Sequence, residues 1–238
     1  MARAPRLIVF SGAGLSAESG LPTFRGPDGL WEGVPIRTVC HIDTWEENFD
    51  AMHDFYDARR VAGRRAKPNQ GHRTIAEWQQ KWPKRTIVLT QNIDRLLEGA
   101  GCTEVIHLHG DAFTLCCMAC GHEWEIEGDR YDRKPCSKCK KERTVKPGVV
   151  FFGEQAPRYH DLHSIVGELR PEDTAIVVGT SGTVLPADRL FAHSDAHSIL
   201  VNLEPAGQMD EAAFTERHYG LASAQLPKLA EVLTQRMG

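Results

Sequence analysis

The segment Leu7-Ile8-Val9-Phe10-Ser11-Gly12-Ala13-Gly14-Leu15-Ser16-Ala17 decides the fold. Four consecutive apolar residues predict a strand buried on both faces, as in a parallel sheet covered by helices. Glycines follow at once, and Gly12-x-Gly14-x-x-Ala17 fits the pattern G-x-G-x-x-(G/A), in which backbone N–H groups at a helix start approach a pyrophosphate. A tight strand-to-helix turn that binds nothing would look the same, so the loop alone is weak evidence.

Working outward, short apolar runs recur at Ile87–Leu89, Val105–Leu108, Val149–Phe152, Ala175–Val178 and Ile199–Leu203. Helical segments are expected between them, at His72–Trp82, His160–Leu169, Ala187–His193 and, at the end, Leu226–Arg236. The alternation predicts an α/β fold with a Rossmann-like parallel sheet. Two stretches break the rhythm. One, residues 26–68, opens with Gly26-Pro27-Asp28-Gly29 and turns helical, most clearly over Trp45–Arg60. The other, residues 111–146, is rich in charge and holds most of the cysteines. The expected organisation is a sheet domain from residues 1–25, 69–110 and 147–238, with residues 26–68 and 111–146 as insertions forming a small lobe. After the glycine loop a hydride-transfer unit would return to a second strand within roughly 30 residues and carry an acidic residue about 20 residues on. Here Pro22 ends the helix early and no strand signal returns before Ile87.

Composition narrows the class. The 238 residues are 41% apolar with a net charge of −4, enough for a core and without the bulk positive charge of a nucleic-acid binder. Leu7–Phe10 is too short for a signal-peptide core, and no run approaches the roughly 18 apolar residues of a membrane span. The expectation is a soluble protein with no membrane or nucleic-acid partner and, by default, a cytoplasmic address. Of seven cysteines, Cys117-x2-Cys120-x15-Cys136-x2-Cys139 has the spacing of a four-cysteine zinc site. Two CxxC turns complete a tetrahedron with no open position, so one structural Zn2+ is expected. Cys116 reads as a spectator, and Cys40 and Cys102 as small apolar residues.

Four more segments belong with the glycine loop: Thr90-Gln91-Asn92-Ile93-Asp94, Leu108-His109-Gly110, Lys146-Pro147-Gly148-Val149-Val150-Phe151-Phe152-Gly153-Glu154 and Gly179-Thr180-Ser181. Together with Gly12–Arg25 and the paired CxxC motifs, this order resembles the sirtuin family, class III, over nearly the whole chain. The resemblance implies NAD-dependent removal of acyl groups from protein lysines. The acyl oxygen attacks C1′ of the nicotinamide ribose, nicotinamide leaves, a histidine draws a proton from the ribose hydroxyls, and hydrolysis gives free lysine and O-acyl-ADP-ribose. It implies NAD+ as co-substrate, acyl-lysine proteins or peptides as partners, and a monomer.

By position the resemblance makes His109 the base, an assignment its unperturbed pKa suits, while His107 keeps a structural reading. Asn92 and Asp94 correspond to the pair orienting the carboxamide and ribose, with Ile93 between them, and Gln91 to a ribose contact. Gly12, Ala13, Gly14, Ser16 and Ala17, with Phe24 and Arg25 of the closing loop, fall on the NAD-binding segment. Gly179, Thr180 and Ser181 correspond to phosphate and ribose contacts, Asn202, Leu203 and Glu204 to the adenosine ribose, and Ala222 to adenine. Val149, Phe151, Gly153 and Glu154 fall on the segments that take the substrate backbone as an added strand.

Tyr56 and Arg59 lie three apart on a predicted helix and so share a face. A phenol beside a guanidinium makes a carboxylate receptor. Spacing alone favours a solvated basic face, since Arg60, Arg64 and Arg65 follow. The Y-x-x-R pair nonetheless resembles class III sirtuins, which prefer succinyl-, malonyl- or glutaryl-lysine. Leu97, Gly71 and Pro27 depart from the family pattern, Pro27 near the acyl channel. Mono-ADP-ribosyl transfer from the same NAD site is the alternative enzyme reading. An NAD-binding module acting by interaction alone is a third, against which His109, Asn92 and Asp94 all stand.

Overall fold

The computed structural model describes residues 3–23, 30–191 and 194–238. In chain order the elements are β1 (Leu7–Ser11), α1 (Gly14–Ala17), β2 (Leu30–Trp31), β3 (Val34–Pro35), α2 (Ile36–Val39), α3 (Phe49–Arg65), α4 (Gln70–Lys81), β4 (Thr86–Thr90) and α5 (Leu96–Gly99). There follow β5 (Val105–His107), β6 (Gly110–Cys117), β7 (Glu123–Glu125), β8 (Val145–Val149), α6 (Tyr159–Gly167), β9 (Thr174–Val178), α7 (Ala187–Phe191), β10 (His197–Asn202), β11 (Glu216–Tyr219), α8 (Ala222–Gln225) and α9 (Ala230–Met237).

Six strands form one parallel sheet in the order β11-β10-β9-β1-β4-β5. The central strand β1 is buried at every position because each face meets a different core. Leu7 and Val9 face a cluster with Ile75, Trp78 and Leu226. Ile8 and Phe10 face one with Leu162, Phe191 and Phe214. This is why the run reads as continuous apolar sequence instead of alternating. Helix α4 starts at a reciprocal cap, in which the Asn69 side chain accepts from the Gly71 and His72 amides while His72 accepts from the Asn69 amide.

A third core lies off this sheet. Phe49, Met52, Phe55 and Tyr56 of α3 pack with Ala112, Leu115, Val145, Val149 and Phe151, around a small antiparallel sheet in the order β7-β6-β8. Two expectations are corrected here. The apolar run Val149–Phe152 is not a strand of the parallel sheet. The strand is Val145–Val149, paired antiparallel to β6, and Phe152 makes a single bridge with His41. The edge strand β11 was not expected at all, because Glu216-Arg217-His218-Tyr219 is polar and half exposed. The last helical stretch is divided, a 3-10 turn over Leu226–Leu229 preceding α9. No helix among the described residues is long and apolar enough to cross a membrane.

Candidate active site

Strand order reverses direction on the two sides of β1, with β4 on one side and β9 on the other, and an open α/β sheet places its crevice at such a point. Here the loop after β1 meets the loop after β9. The Gly12 amide donates to Val178 O at 2.9 Å and the Gly14 amide to Gly179 O at 2.8 Å. A Cβ on Gly14 would lie 2.7 Å from Gly179 Cα, and one on Gly179 would lie 2.3 Å from the Leu15 nitrogen. Gly179 also has φ +65°. Only glycine satisfies that contact and that dihedral together.

Above this junction opens a cleft of about 1280 Å³. One wall comes from the carboxyl ends of the parallel strands and carries Gly12, Ala13, Gly14, Ser16, Gln91, Asn92, Ile93, Asp94, His109, Gly179, Thr180, Ser181, Asn202, Leu203 and Glu204. The facing wall comes from the third core and carries Trp31, Glu32, Arg59, Val149, Phe151, Gly153 and Glu154.

Ser16 is the hub of the first wall. Its hydroxyl donates to Asp94 Oδ2 at 2.9 Å and accepts from Asn92 Nδ2 at 3.1 Å. Burial raises the Asp94 carboxyl above its ordinary range, against the pull of the Leu96 amide and the Ser16 hydroxyl. His107 holds this loop from behind, with Nδ1 2.9 Å from Asn92 O and Nε2 2.7 Å from Glu98 Oε1. Burial works against its charge, but the Glu98 carboxylate and the Asn92 carbonyl outweigh burial and hold its pKa above the usual value. Gln91 Nε2 donates to Thr180 Oγ1 at 3.1 Å, tying two strand ends together.

His109 points into the cleft with both ring nitrogens engaged. Nδ1 lies 3.0 Å from Gln91 O, and because a carbonyl only accepts, Nδ1 carries the proton. Nε2 therefore presents its lone pair, which meets the Tyr159 hydroxyl at 2.9 Å. Burial pushes the His109 pKa below its ordinary value, so the ring is neutral near pH 7.

On the opposite wall, Tyr56 is fully buried and stacks on Phe151 at 6.0 Å and 17°. Its hydroxyl faces the Cys40 thiol, and Arg59 Nε has no hydrogen-bond partner among the described residues. Arg59 donates to Phe55 O at 2.6 Å and forms an ion pair with Glu32. Arg60 is fully buried, paired with Asp57 and bonded to Ala112 O at 2.9 Å, so this stretch of α3 is not the solvated basic face that spacing alone suggested. Glu154 accepts from the Phe151 amide at 2.6 Å and pairs with the buried Lys146 at 3.1 Å, which braces the segment between them.

Some expected contacts are not brought together. Ala222 is buried in the core beneath the sheet, beside Leu226, and does not line the cleft. Ala17 is exposed and also lies outside it. Tyr56 stands behind Phe151 and is not on the cleft surface. Both ends of the Asn202 amide are taken by the Thr180 backbone, at 3.1 and 2.9 Å, so this side chain positions the Thr180 loop. Phe24, Arg25 and Pro27 lie outside the described residues. Glu32 and Tyr159 are among the cleft residues that the sequence did not single out. Gly33 marked the turn that carries Glu32, but nothing in the sequence indicated that Tyr159 reaches His109.

The four cysteines converge away from the cleft, with all Sγ atoms within 4.8 Å of one another. Cys117–Cys139 is 3.7 Å and Cys120–Cys136 is 3.8 Å, close to the edge of about 3.8 Å for a sulfur tetrahedron with bonds of about 2.3 Å. Each CxxC turn closes alike. The Gly121 amide donates to Cys117 O and the Lys140 amide to Cys136 O, and both donors have positive φ, +67° and +62°. The donor set fits one zinc with no position left for water.

The Sir2 family profile matches residues 12–186. The chain is 35% identical over 251 residues to an NAD-dependent protein deacylase of Helicobacter hepaticus, covering 97% of this chain and 98% of that one. It is 44% identical over 194 residues to an NAD-dependent protein deacylase of Campylobacter jejuni, covering 82% and 81%. The structure of a Sir2 homologue in complex with NAD superposes with a TM-score of 0.83 at 29% identity, over 99% of this chain and 92% of that one.

Proposed function

The chain belongs to the Sir2 family and, like the NAD-dependent protein deacylases it resembles, is an enzyme; we propose that the acyl groups it removes from protein lysines are those that end in a carboxylate, succinyl and malonyl, with acetyl a lesser substrate. The observation that carries the acyl preference is Arg59 on the cleft wall, the one arginine or lysine there among the described residues, with its Nε left without a hydrogen-bond partner. A buried donor without a partner is costly, and here it belongs to a guanidinium, the group best suited to pair with a carboxylate.

The residues of the first wall fit NAD. The glycine loop leaves backbone bare at the sheet's switch point, and the Asn92–Ser16–Asp94 network fixes two polar side chains deep in the cleft. NAD, when bound, supplies an electrophilic ribose carbon and a nicotinamide leaving group. Asn92 and Asp94 orient its nicotinamide end, and Thr180 and Ser181 face its phosphates and ribose. His109 takes a ribose hydroxyl proton at Nε2, the nitrogen left unprotonated by the bond to Gln91 O. His109 Nε2 would be open to that proton once the Tyr159 hydroxyl had moved off it. Val149, Gly153 and Glu154, braced by Lys146, receive the peptide backbone as an added strand.

The test is mass spectrometry on one peptide carrying acetyl-, succinyl- or malonyl-lysine, with and without NAD, for the wild type and Arg59→Ala. The variant is expected to lose roughly 30-fold or more of kcat/KM on succinyl-lysine, the cost of about 2 kcal/mol or more for an unpaired carboxylate, and far less on acetyl-lysine. Equal losses on both would reject the acidic-acyl preference. NAD cleavage without loss of any acyl group would point to ADP-ribosyl transfer.

A further inference from the structure

The receptor for the acyl carboxylate already holds a carboxylate, that of Glu32. This residue and Gly33 form the two-residue turn of the β2–β3 hairpin, both at positive φ, +50° and +78°. Such a turn projects its side chain from a narrow loop. Glu32 lines the cleft and its Oε2 is paired with Arg59 Nη2. Arg59 itself is held on three sides, by the Phe55 carbonyl at 2.6 Å and by the faces of the Phe55 and Trp31 rings.

Arg59 is the single arginine or lysine lining the cleft among the described residues. One guanidinium therefore stands against one internal carboxylate, and an acidic acyl group brings a second. Among the described residues, both carboxylates together would give this partly desolvated wall a net negative charge, and like charges at such range repel. The two differ in what they lose by leaving. The Glu32 side chain is 31% exposed and that of Arg59 14%, so Glu32 reaches water by a change of rotamer while Arg59 stays.

We propose that Glu32 is a specificity-determining residue, an internal carboxylate that occupies Arg59 and is exchanged for the terminal carboxylate of the acyl group. This inference rests on the acidic-acyl reading above. Glu32 keeps the guanidinium paired when no acidic acyl group is present and so weakens the apparent affinity for one. It sets how sharply the enzyme separates acidic from neutral acyl groups, because only an acidic group competes for Arg59.

The experiment compares kcat/KM on succinyl-lysine with kcat/KM on acetyl-lysine in one peptide, for the wild type, Glu32→Gln, Arg59→Ala and the double variant. Glutamine keeps the length and the hydrogen bond and removes the charge. Glu32→Gln is expected to raise the succinyl-to-acetyl ratio on the order of tenfold, through a lower KM for the succinyl peptide. In the Arg59→Ala background the same change should leave the ratio where Arg59→Ala alone puts it. If Arg59→Ala lowers the ratio but Glu32→Gln leaves it unchanged or lowers it, the exchange is wrong and the receptor stands, Glu32 serving only to hold Arg59. If Arg59→Ala lowers both substrates equally, the receptor reading fails and the exchange fails with it.

Discussion

His109, proposed above as the base, has its tautomer and its remaining lone pair set by two hydrogen bonds. The Gln91 carbonyl fixes the tautomer, and the Tyr159 hydroxyl donates to the remaining lone pair. Burial raises the Tyr159 pKa, so it remains a donor across the working range. A donor on Nε2 stabilises the neutral ring, and so does burial. The acid limb of kcat/KM is thus expected below the ordinary histidine value of about 6.5. Tyr159→Phe removes the hydrogen bond to Nε2 and should move that limb upward. A pH profile of deacylation with an unmoved acid limb would sink this. Ser16 offers a second test at the same scale. Ser16→Ala strands Asn92 Nδ2 and removes a donor from Asp94. It should cost about 1–3 kcal/mol in thermal or urea melts, together with a loss of turnover. Asn92, Asp94 and His109 could be singled out in the sequence because their chemistry travels with a motif at a strand end. Glu32 and Tyr159 could not, because what makes each of them matter is a partner brought in from elsewhere in the chain.

Among the elements, those buried on two faces were the legible ones. Leu7–Phe10, Ile87–Leu89 and Ala175–Val178 are continuous apolar runs because helices cover both sides of the sheet. The same rule misread Val149–Phe152, where Phe151 packs into the third core and Phe152 is exposed. It passed over β11, where an edge strand needs no apolar face. The elements around the cysteines depend on each other in a way that can be tested. Helix α3 is anchored to the cysteine-bearing region by Arg60 on the Asp129 carbonyl, by the Tyr131 amide on Asp57 and by the Arg133–Asp57 pair. The same helix presents Arg59 to the cleft. One zinc per chain is expected by metal analysis. Its removal with a strong chelator, or Cys136→Ser, should lower the melting temperature and abolish deacylation, even though the cysteines lie outside the cleft. Full activity in a zinc-free preparation would exclude the structural metal.

Across the whole molecule, three hydrophobic cores meet two charged designs, one buried neutral and one buried paired, and acid separates them. His53 lies in the third core with one ring nitrogen 2.9 Å from Val145 O, and burial pulls its pKa to about 4. His72 caps α4 beneath the parallel sheet, and burial likewise pulls it to about 4. In both cases the folded pKa lies below the unfolded value of about 6.5, so between those limits the unfolded chain binds more protons than the folded one. Their contribution is complete above about pH 6.5 and is lost as pH falls toward 4, by up to about 3 kcal/mol for each. His107 has the opposite sign, its pKa being raised with Glu98 as the partner that favours its charge. Its contribution is complete below about 6.5 and is lost only as pH rises beyond that, so it adds no slope in the acid window. The carboxylate of Asp57, lowered by Arg133, Tyr131 and Arg60 against burial, matters only further down, as pH falls through and below the ordinary aspartate range. Urea midpoints measured from pH 7.5 to 4 should therefore not fall until about 6.5, His107 adding stability as it protonates, and should decline below that because His53 and His72 take up protons more readily in the unfolded chain. His53 and His72 sit in different cores, so replacing either with a neutral residue should flatten only part of the decline, and a curve flat down to pH 4.5 in the wild type would show that neither imidazole is buried neutral as described.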